Sequence, residues 1–478
     1  MAPNNDSARA RILASLTDDL GRTLARDRSR AWTAGEIFGA AAVLRPMFLV
    51  GEDPLGIAFA QPGWIMAALL AAWGAGRRPL LIDPGLKREA EALRRIHPGI
   101  CIYTGKGPTQ AWQEWMGKWM DTRRVDVSEA LAASVPVAAP PPWLSLPADN
   151  DSFASLLTSA STGENKIIDK LGFQFYRQAE ALASVLALPG KSLVLSFVPP
   201  YHLLGFFYGL VLPLVQGAET VVATDLTGAA MIELLTKYRP DLVVGTATHY
   251  RFLVRATTQR EPTLNHPSDG KPSTVYLSSG APLDPAVAEA FASRFGTSVR
   301  DFYGSTELGG IAFRAWPDAY RAMPSVRWRI DPETARLDVI SPWGGGAENI
   351  WLSTDDAAEP VGADGFRLLG RLDHVVKVGG KRFSSVEVEQ ALRAMPGVSE
   401  AAVFPYQRFG EPAIAAVIAP EPGAMLDETV IRTFLAERLA TYKLPRTILL
   451  LATLPRGSHD KIDYQALRSL VADEEPAR

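Results

Sequence analysis

Between residues 158 and 166 the chain reads Thr158-Ser159-Ala160-Ser161-Thr162-Gly163-Glu164-Asn165-Lys166. Five of the six positions 158–163 carry a hydroxyl or are glycine, and a lysine follows three residues later. Short side chains let a loop wrap an anion with backbone N–H groups and hydroxyls, while a lysine adds a point charge. This is the composition of a polyphosphate cradle; read alone, it is also that of a plain turn. The pattern G-x-x-x-x-G-K-[ST] cannot be laid over it, which excludes the usual P-loop. Three later segments add polar chemistry: Asp301-Phe302-Tyr303-Gly304-Ser305-Thr306-Glu307, Gly370-Arg371-Leu372-Asp373, and Leu454-Pro455-Arg456 with Lys461. Beside a bound triphosphate, a carboxylate such as Glu307 serves best as a Mg²⁺ ligand.

In this order and spacing the four segments resemble the adenylate-forming superfamily of acyl- and aryl-CoA ligases, peptide-synthetase adenylation domains and luciferases. The family's first loop reads roughly T-S-G-S-T-G-x-P-K-G, from which Ala160, Asn165 and Ile167 depart. The run Gly370 to Glu389 is similar to G-R-x-D-x-x-x-K-x-x-G-x-R…E-x-E, and the resemblance spans about residues 30 to 470. It implies that a carboxylic acid attacks the α-phosphorus of ATP, pyrophosphate leaves, and the acyl group passes to a thiol. Negative charge builds on the phosphate oxygens in the first step, so the site needs placed cations rather than an acid–base pair.

On this resemblance ATP, with Mg²⁺, is held by Thr158, Ser159, Ser161, Thr162, Gly163 and Lys166 at the phosphates. Thr306 contacts the α-phosphate and Glu307 the metal. The strip Asp301 to Ser305 (with Phe302 and Gly304) lies along the adenine: Tyr303 offers its ring and Asp301 accepts from the amino group. Gly280 and Ala281 cover the other adenine face. Asp356 and Arg371 form the ribose pair, Thr354-Asp355-Asp356 standing where T-G-D is usual. Lys461 is the main cation of the first half-reaction, with Asp460 in place of the family's preceding glycine. Asp373 is the hinge, at residues 371–374, about which a small domain swings between half-reactions. The swing brings Lys377, Gly379 and Gly380 toward the nucleotide, and Arg382 touches phosphate in one of the two poses.

The stretch Pro199-Pro200-Tyr201-His202-Leu203-Leu204-Gly205-Phe206-Phe207 is similar to the P-x-[YF]-H-x-x-G-F-F run of benzoate-type acyl-CoA ligases, with His202 at the mouth of an acid pocket. Phe206, Phe207, Tyr208 and Tyr250 offer aromatic walls, with Gly304 beside them, and suit a flat aryl acid such as a hydroxybenzoate. No aspartate follows His202 through Gly217 to pair with an α-ammonium, which disfavours a free amino acid. The acceptor is CoA or the phosphopantetheine of an acyl carrier protein, with the stand-alone aryl–carrier-protein ligases of aryl-polyene pigment pathways as the nearest kind. A fatty acyl ligase and a nucleotide-binding pseudoenzyme stay open. A phosphotransferase is opposed by the missing Walker pattern and the far C-terminal lysine.

Such residues need two or three domains to hold them, and 478 residues supply them. The composition, 47% apolar and 21% charged, is that of a globular protein, and a net charge of −3 gives no basic footprint for nucleic acid or anionic membrane. The single Cys101 excludes an internal disulfide and a cysteine metal site. The apolar run Trp64 to Ala75 is too short to span a bilayer and reads as a core helix, so a cytoplasmic enzyme is expected. From Leu55 to Tyr303, β-branched runs alternate with helical patterns, which predicts parallel α/β sheets with ligands at strand C-termini. Val326 to Thr354 alternates as a small antiparallel piece. The expected architecture is a large α/β N-terminal domain, residues 1–370, and a smaller mobile α+β C-terminal domain, residues 371–478.

Overall fold

The computed structural model describes residues 5–51, 54–84, 100–104, 123–158, 166–189, 191–224, 226–257, 274–344, 349–378, 381–455 and 462–473. The chain divides into two compact units: residues 1–327 with 340–350, and residues 328–339 with 351–478. The motif-based boundary at Gly370 lies later than this division. The reason is strand pairing: Leu352–Val361 pairs antiparallel both with Arg336–Ile340 and with Gly365–Arg371.

In the first unit, strands Tyr320–Ala322, Gly309–Ala315, Val299–Ser305, Val275–Ser279, Leu242–Gly245, Leu193–Ser196, Glu219–Val222, Thr23–Arg26 and Ala31–Thr33 lie side by side in that order. The members from Val299–Ser305 to Thr23–Arg26 run parallel. Leu242–Gly245 is buried throughout, as a strand covered on both faces must be. Helices Gly228–Tyr238, Ala247–Ala256 and Pro285–Phe295 connect these strands. Their inward Met231, Leu235, Tyr250, Leu253 and Phe291 join Leu195 and Val243 in one core.

A second sheet orders Arg123–Asp126, Ile100–Tyr103, Leu55–Ala58, Pro79–Leu81, Ser152–Thr158 and Lys166–Leu171. Only its last pair, Ser152–Thr158 with Lys166–Leu171, is antiparallel. Helix Pro62–Gly74 is apolar on every side and buried, so it is a core helix. No helix among the described residues is long and apolar enough to cross a membrane.

The second unit adds a hairpin, Val375–Val378 with Lys381–Ser384, and a sheet of Val398–Arg408, Glu411–Pro420 and Thr447–Leu450. Helices Ser385–Arg393 and Glu428–Ala436 pack on that sheet through Val388, Leu392, Ile431 and Leu435, against Ile414, Ala416 and Ile418. The fold is the expected large α/β unit followed by a smaller α+β one.

Candidate active site

Parallel strands Val275–Ser279 and Val299–Ser305 end together, with Ser279 opposite Phe302. Their C-terminal ends therefore place Gly280 beside Gly304, Ser305 and Thr306, and all four line a cavity of about 280 Å³. The rest of its wall comes from Ser279, from Lys170 near the end of strand Lys166–Leu171, from Gln174, Phe175 and Gln178 on helix Gly172–Leu186, and from Leu203, Leu204, Phe207, Tyr208, Gly309 and Gly310. Gln174 is spent on the backbone: its carbonyl accepts from Leu171 N–H at 2.8 Å and its amide donates to the Trp343 carbonyl at 2.9 Å. The turn between strands Val299–Ser305 and Gly309–Ala315 is closed by Leu308 N–H donating to Ser305 Oγ at 3.1 Å. It is tight enough that a Cβ on Gly304 would meet the Gly309 carbonyl oxygen at 2.3 Å.

The segment carrying the aromatic wall runs Leu203–Phe206, then a π-helical turn over Phe207–Val211, then Leu212–Gln216. A π turn leaves the helical ladder incomplete; here Thr220 Oγ1 donates to the Gly209 carbonyl at 2.6 Å. Phe175 stacks on Phe207 at 5.8 Å and 24°. Tyr208 meets Phe207 edge-on at 4.9 Å, and its burial raises the phenol well above its usual range, so it stays neutral.

Several residues expected at the site are elsewhere. Asp301 is 2% exposed and accepts from Arg314 at 3.0 Å and from Tyr320 Oη at 2.5 Å. Burial raises its pKa, with Tyr320 and Arg314 pulling the other way. Its Oδ2 is thus partnered within the fold. The Phe302 ring is buried and stacks on Phe313 at 5.6 Å. Phe206 packs inward against Phe175 and Phe153. Tyr250 sits in the core, donating to the Leu277 carbonyl at 2.7 Å and meeting Phe291 edge-on. Neither of these two lines the cavity; Phe207 and Tyr208 do.

Ala281 is exposed next to Gly280, and Tyr303 is half-buried with its ring 6.1 Å from Tyr320. His202 precedes the lining residues Leu203 and Leu204, and its ring is 4.9 Å from Tyr201. His202 reaches solvent, yet its surroundings desolvate the imidazole and lower its pKa, with Asp83 opposing. Glu307 is exposed next to Thr306. One carboxylate fits Mg²⁺, which keeps waters and takes further oxygens from a triphosphate. Among the described residues there is no cluster of three or more metal-ligating side chains.

In the second unit, Asp356 and Arg371 are direct cross-strand partners. The Arg371 guanidinium lies 3.2 Å from Asp355 and 3.8 Å from Asp373, in the short 3₁₀ turn Leu372–His374. Lys377 is exposed opposite Arg382. Arg382 donates to the carbonyls of Pro332 and Glu333, so in this structure it holds a turn and not a phosphate. Ser159, Ser161, Thr162, Gly163, Gly379, Gly380 and Lys461 lie outside the described residues. Thr158 and Lys166 are register partners at the ends of their strands.

The family model for the AMP-binding enzyme matches residues 37–344, and that for the AMP-binding enzyme C-terminal domain matches 387–461. The chain belongs to the AMP-binding enzyme family. A 4-coumarate–CoA ligase of Halorhodospira halophila is 27% identical over 310 residues, 64% of this chain and 73% of that protein. A 4-chlorobenzoate–CoA ligase of an Arthrobacter species is 24% identical over 480 residues, 90% of this chain and 88% of that protein. The ATP-bound structure of MatB from Rhodopseudomonas palustris superposes with a TM-score of 0.76 at 20% identity, over 97% of this chain and 99% of that one. This AMP-binding enzyme is thus an adenylate-forming ligase that joins a carboxylic acid to a thiol, using ATP with Mg²⁺.

Proposed function

We propose that the acid is an aryl carboxylic acid of the hydroxybenzoate type, and that the acceptor is the phosphopantetheine thiol of an acyl carrier protein or of CoA. The observation that carries this reading is the 280 Å³ cavity walled by Phe175, Phe207 and Tyr208. Its size is at the lower end of ligand pockets, which run from about 300 Å³ upward, and matches one substituted ring better than a long chain. A rigid ring loses few rotors on entry and gains about 0.5–1.5 kcal/mol per aromatic pair. The 4-coumarate and 4-chlorobenzoate ligases among the relatives bear the names of aryl acids.

In this reading the acid carboxylate attacks the α-phosphorus, the bond to pyrophosphate breaks, and the acyl-adenylate forms. Thr306 orients the α-phosphate, and Glu307 would hold a Mg²⁺, which would supply charge to neutralise the triphosphate. Gly280 and Tyr303 enclose the adenine, Asp356 and Arg371 hold the ribose, and Lys461 adds the cation that closes the first step. His202 guards the mouth of the cavity, where the thiol must enter. The test is AMP release with benzoate, 3- and 4-hydroxybenzoate, octanoate and phenylalanine, with CoA and holo-carrier protein supplied separately. The aryl acids should give the highest kcat/KM; a preference for octanoate would replace this reading with a fatty acyl ligase.

A further inference from the structure

Lys170 is the one charged side chain among the described residues that line the cavity. Its strand alternates: Asp169 points away to Arg78, 2.8 Å distant, which turns Lys170 inward to 4% exposure. An ammonium has three N–H donors, and among the described residues one is used, on the Glu307 carbonyl at 2.9 Å. The neighbouring cavity wall is neutral, formed by Phe175, Phe207, Tyr208 and the Gln178 amide, while the Glu307 carboxylate that acts on the ammonium is exposed and does not line the cavity. Burying a charge in such surroundings is costly unless an opposite charge joins it. Propping the Glu307 turn needs only a neutral donor. The remaining donors sit in a cavity that, on the reading above, receives an anion.

We propose that Lys170 is the binding residue for the carboxylate of the acid substrate, pairing with it inside the cavity until adenylation. This rests on the acid-activating reaction but not on the acid being aromatic. When the carboxylate oxygen bonds to the α-phosphorus and pyrophosphate departs with the electrons of the broken P–O bond, the acyl end loses its charge. The pairing with Lys170 ends with it, so Lys170 serves the first half-reaction and not the second. Burial lowers the ammonium pKa to about 8, with the Glu307 charge acting in the opposite direction. Among the described residues, the groups that face it are the Glu307 carboxylate and the Tyr208 phenol, which burial keeps neutral.

The experiment compares the full chain with Lys170→Met and Lys170→Arg, using a benzoate-type acid and octanoate. Lys170→Met should raise KM for the acid at least tenfold, leave KM for ATP within twofold, and leave thioester formation from supplied acyl-adenylate within twofold. Lys170→Arg should recover part of the acid affinity. An unchanged acid KM in Lys170→Met, or an equal rise in KM for ATP, overturns the proposal and leaves Lys170 as a prop for the Glu307 turn. Should octanoate be preferred with the same KM split, the aryl reading fails and the role of Lys170 stands.

Discussion

A lysine in water titrates near 10.5, and in this fold burial brings Lys170 to about 8. Below pH 8 both folded and unfolded chains carry the proton, so the fold bears the whole cost of the buried charge. Between about 8 and 10.5 the unfolded chain binds the proton and the folded one releases it, so that cost is relieved as pH rises. At about 1.4 kcal/mol per unit, the penalty at neutral pH is on the order of 3 kcal/mol. Lys170→Met removes it and leaves the Glu307 carbonyl without its donor, which gives back about 1 kcal/mol. The variant should therefore unfold at a higher temperature than the unaltered chain at pH 7, with the gap closing at pH 10; calorimetry at both values checks this. Little in the sequence singles out Lys170, because Asp169 beside it is equally charged and only the strand's facing separates them. Asp301 shows the converse. Its place in a motif suggests a ligand for adenine, and the motif does not reveal that in the antiparallel register Arg314 stands directly opposite it. That pairing is legible only once the turn at Gly309 is known.

The turn joining Val299–Ser305 to Gly309–Ala315 carries Thr306 and Glu307, and it depends on close backbone approach. A Cβ at 304 would meet a main-chain oxygen, which cannot swing aside as the end of a side chain can. Gly304→Ala should cost about 1–3 kcal/mol of stability, as overpacking does. Its AMP-release rate should fall at least tenfold because the shifted strand displaces Thr306; a normal rate would show that the cavity does not receive the acid at this turn. The alternation of parallel strands and helices in the first unit was readable, since buried parallel strands are unbroken apolar runs such as Leu242–Gly245. The aromatic wall was less legible. A π-helical turn changes which neighbours share a face, so Phe206 turns to the core while Phe207 and Tyr208 reach the cavity. Tyr250 lies on an ordinary helix, Ala247–Ala256, but on the face that packs against Phe291.

The two units bear different parts of the proposed chemistry: Thr306, Glu307 and Lys170 in the first, Asp356, Arg371 and Lys377 in the second. If the 3₁₀ turn Leu372–His374 is the hinge, Asp373→Pro fixes φ at about −65° and holds one pose. Adenylate formation should then survive while thiol transfer fails. Lys461→Ala should show the opposite, losing about 10²–10³ in adenylation while transfer from supplied acyl-adenylate persists. Rapid-quench measurement of the two half-reactions separates these outcomes, and equal losses in both variants would reject a two-pose cycle. The motifs placed the boundary at Gly370 because motifs mark where chemistry sits. Contacts place it earlier, because a short β segment, 328–339, pairs forward with strands that the motifs assign to the large domain. Across the Gly370 seam, Arg382 grips the carbonyls of Pro332 and Glu333, and Arg371 pairs back with Asp356 in the ladder. Every residue presents the same main chain, so these attachments do not depend on which side chains occupy 332 and 333. An exchange of sequence between relatives at this point therefore preserves them wherever the arginine at 382 is kept, and the segments on either side can be swapped as separate pieces.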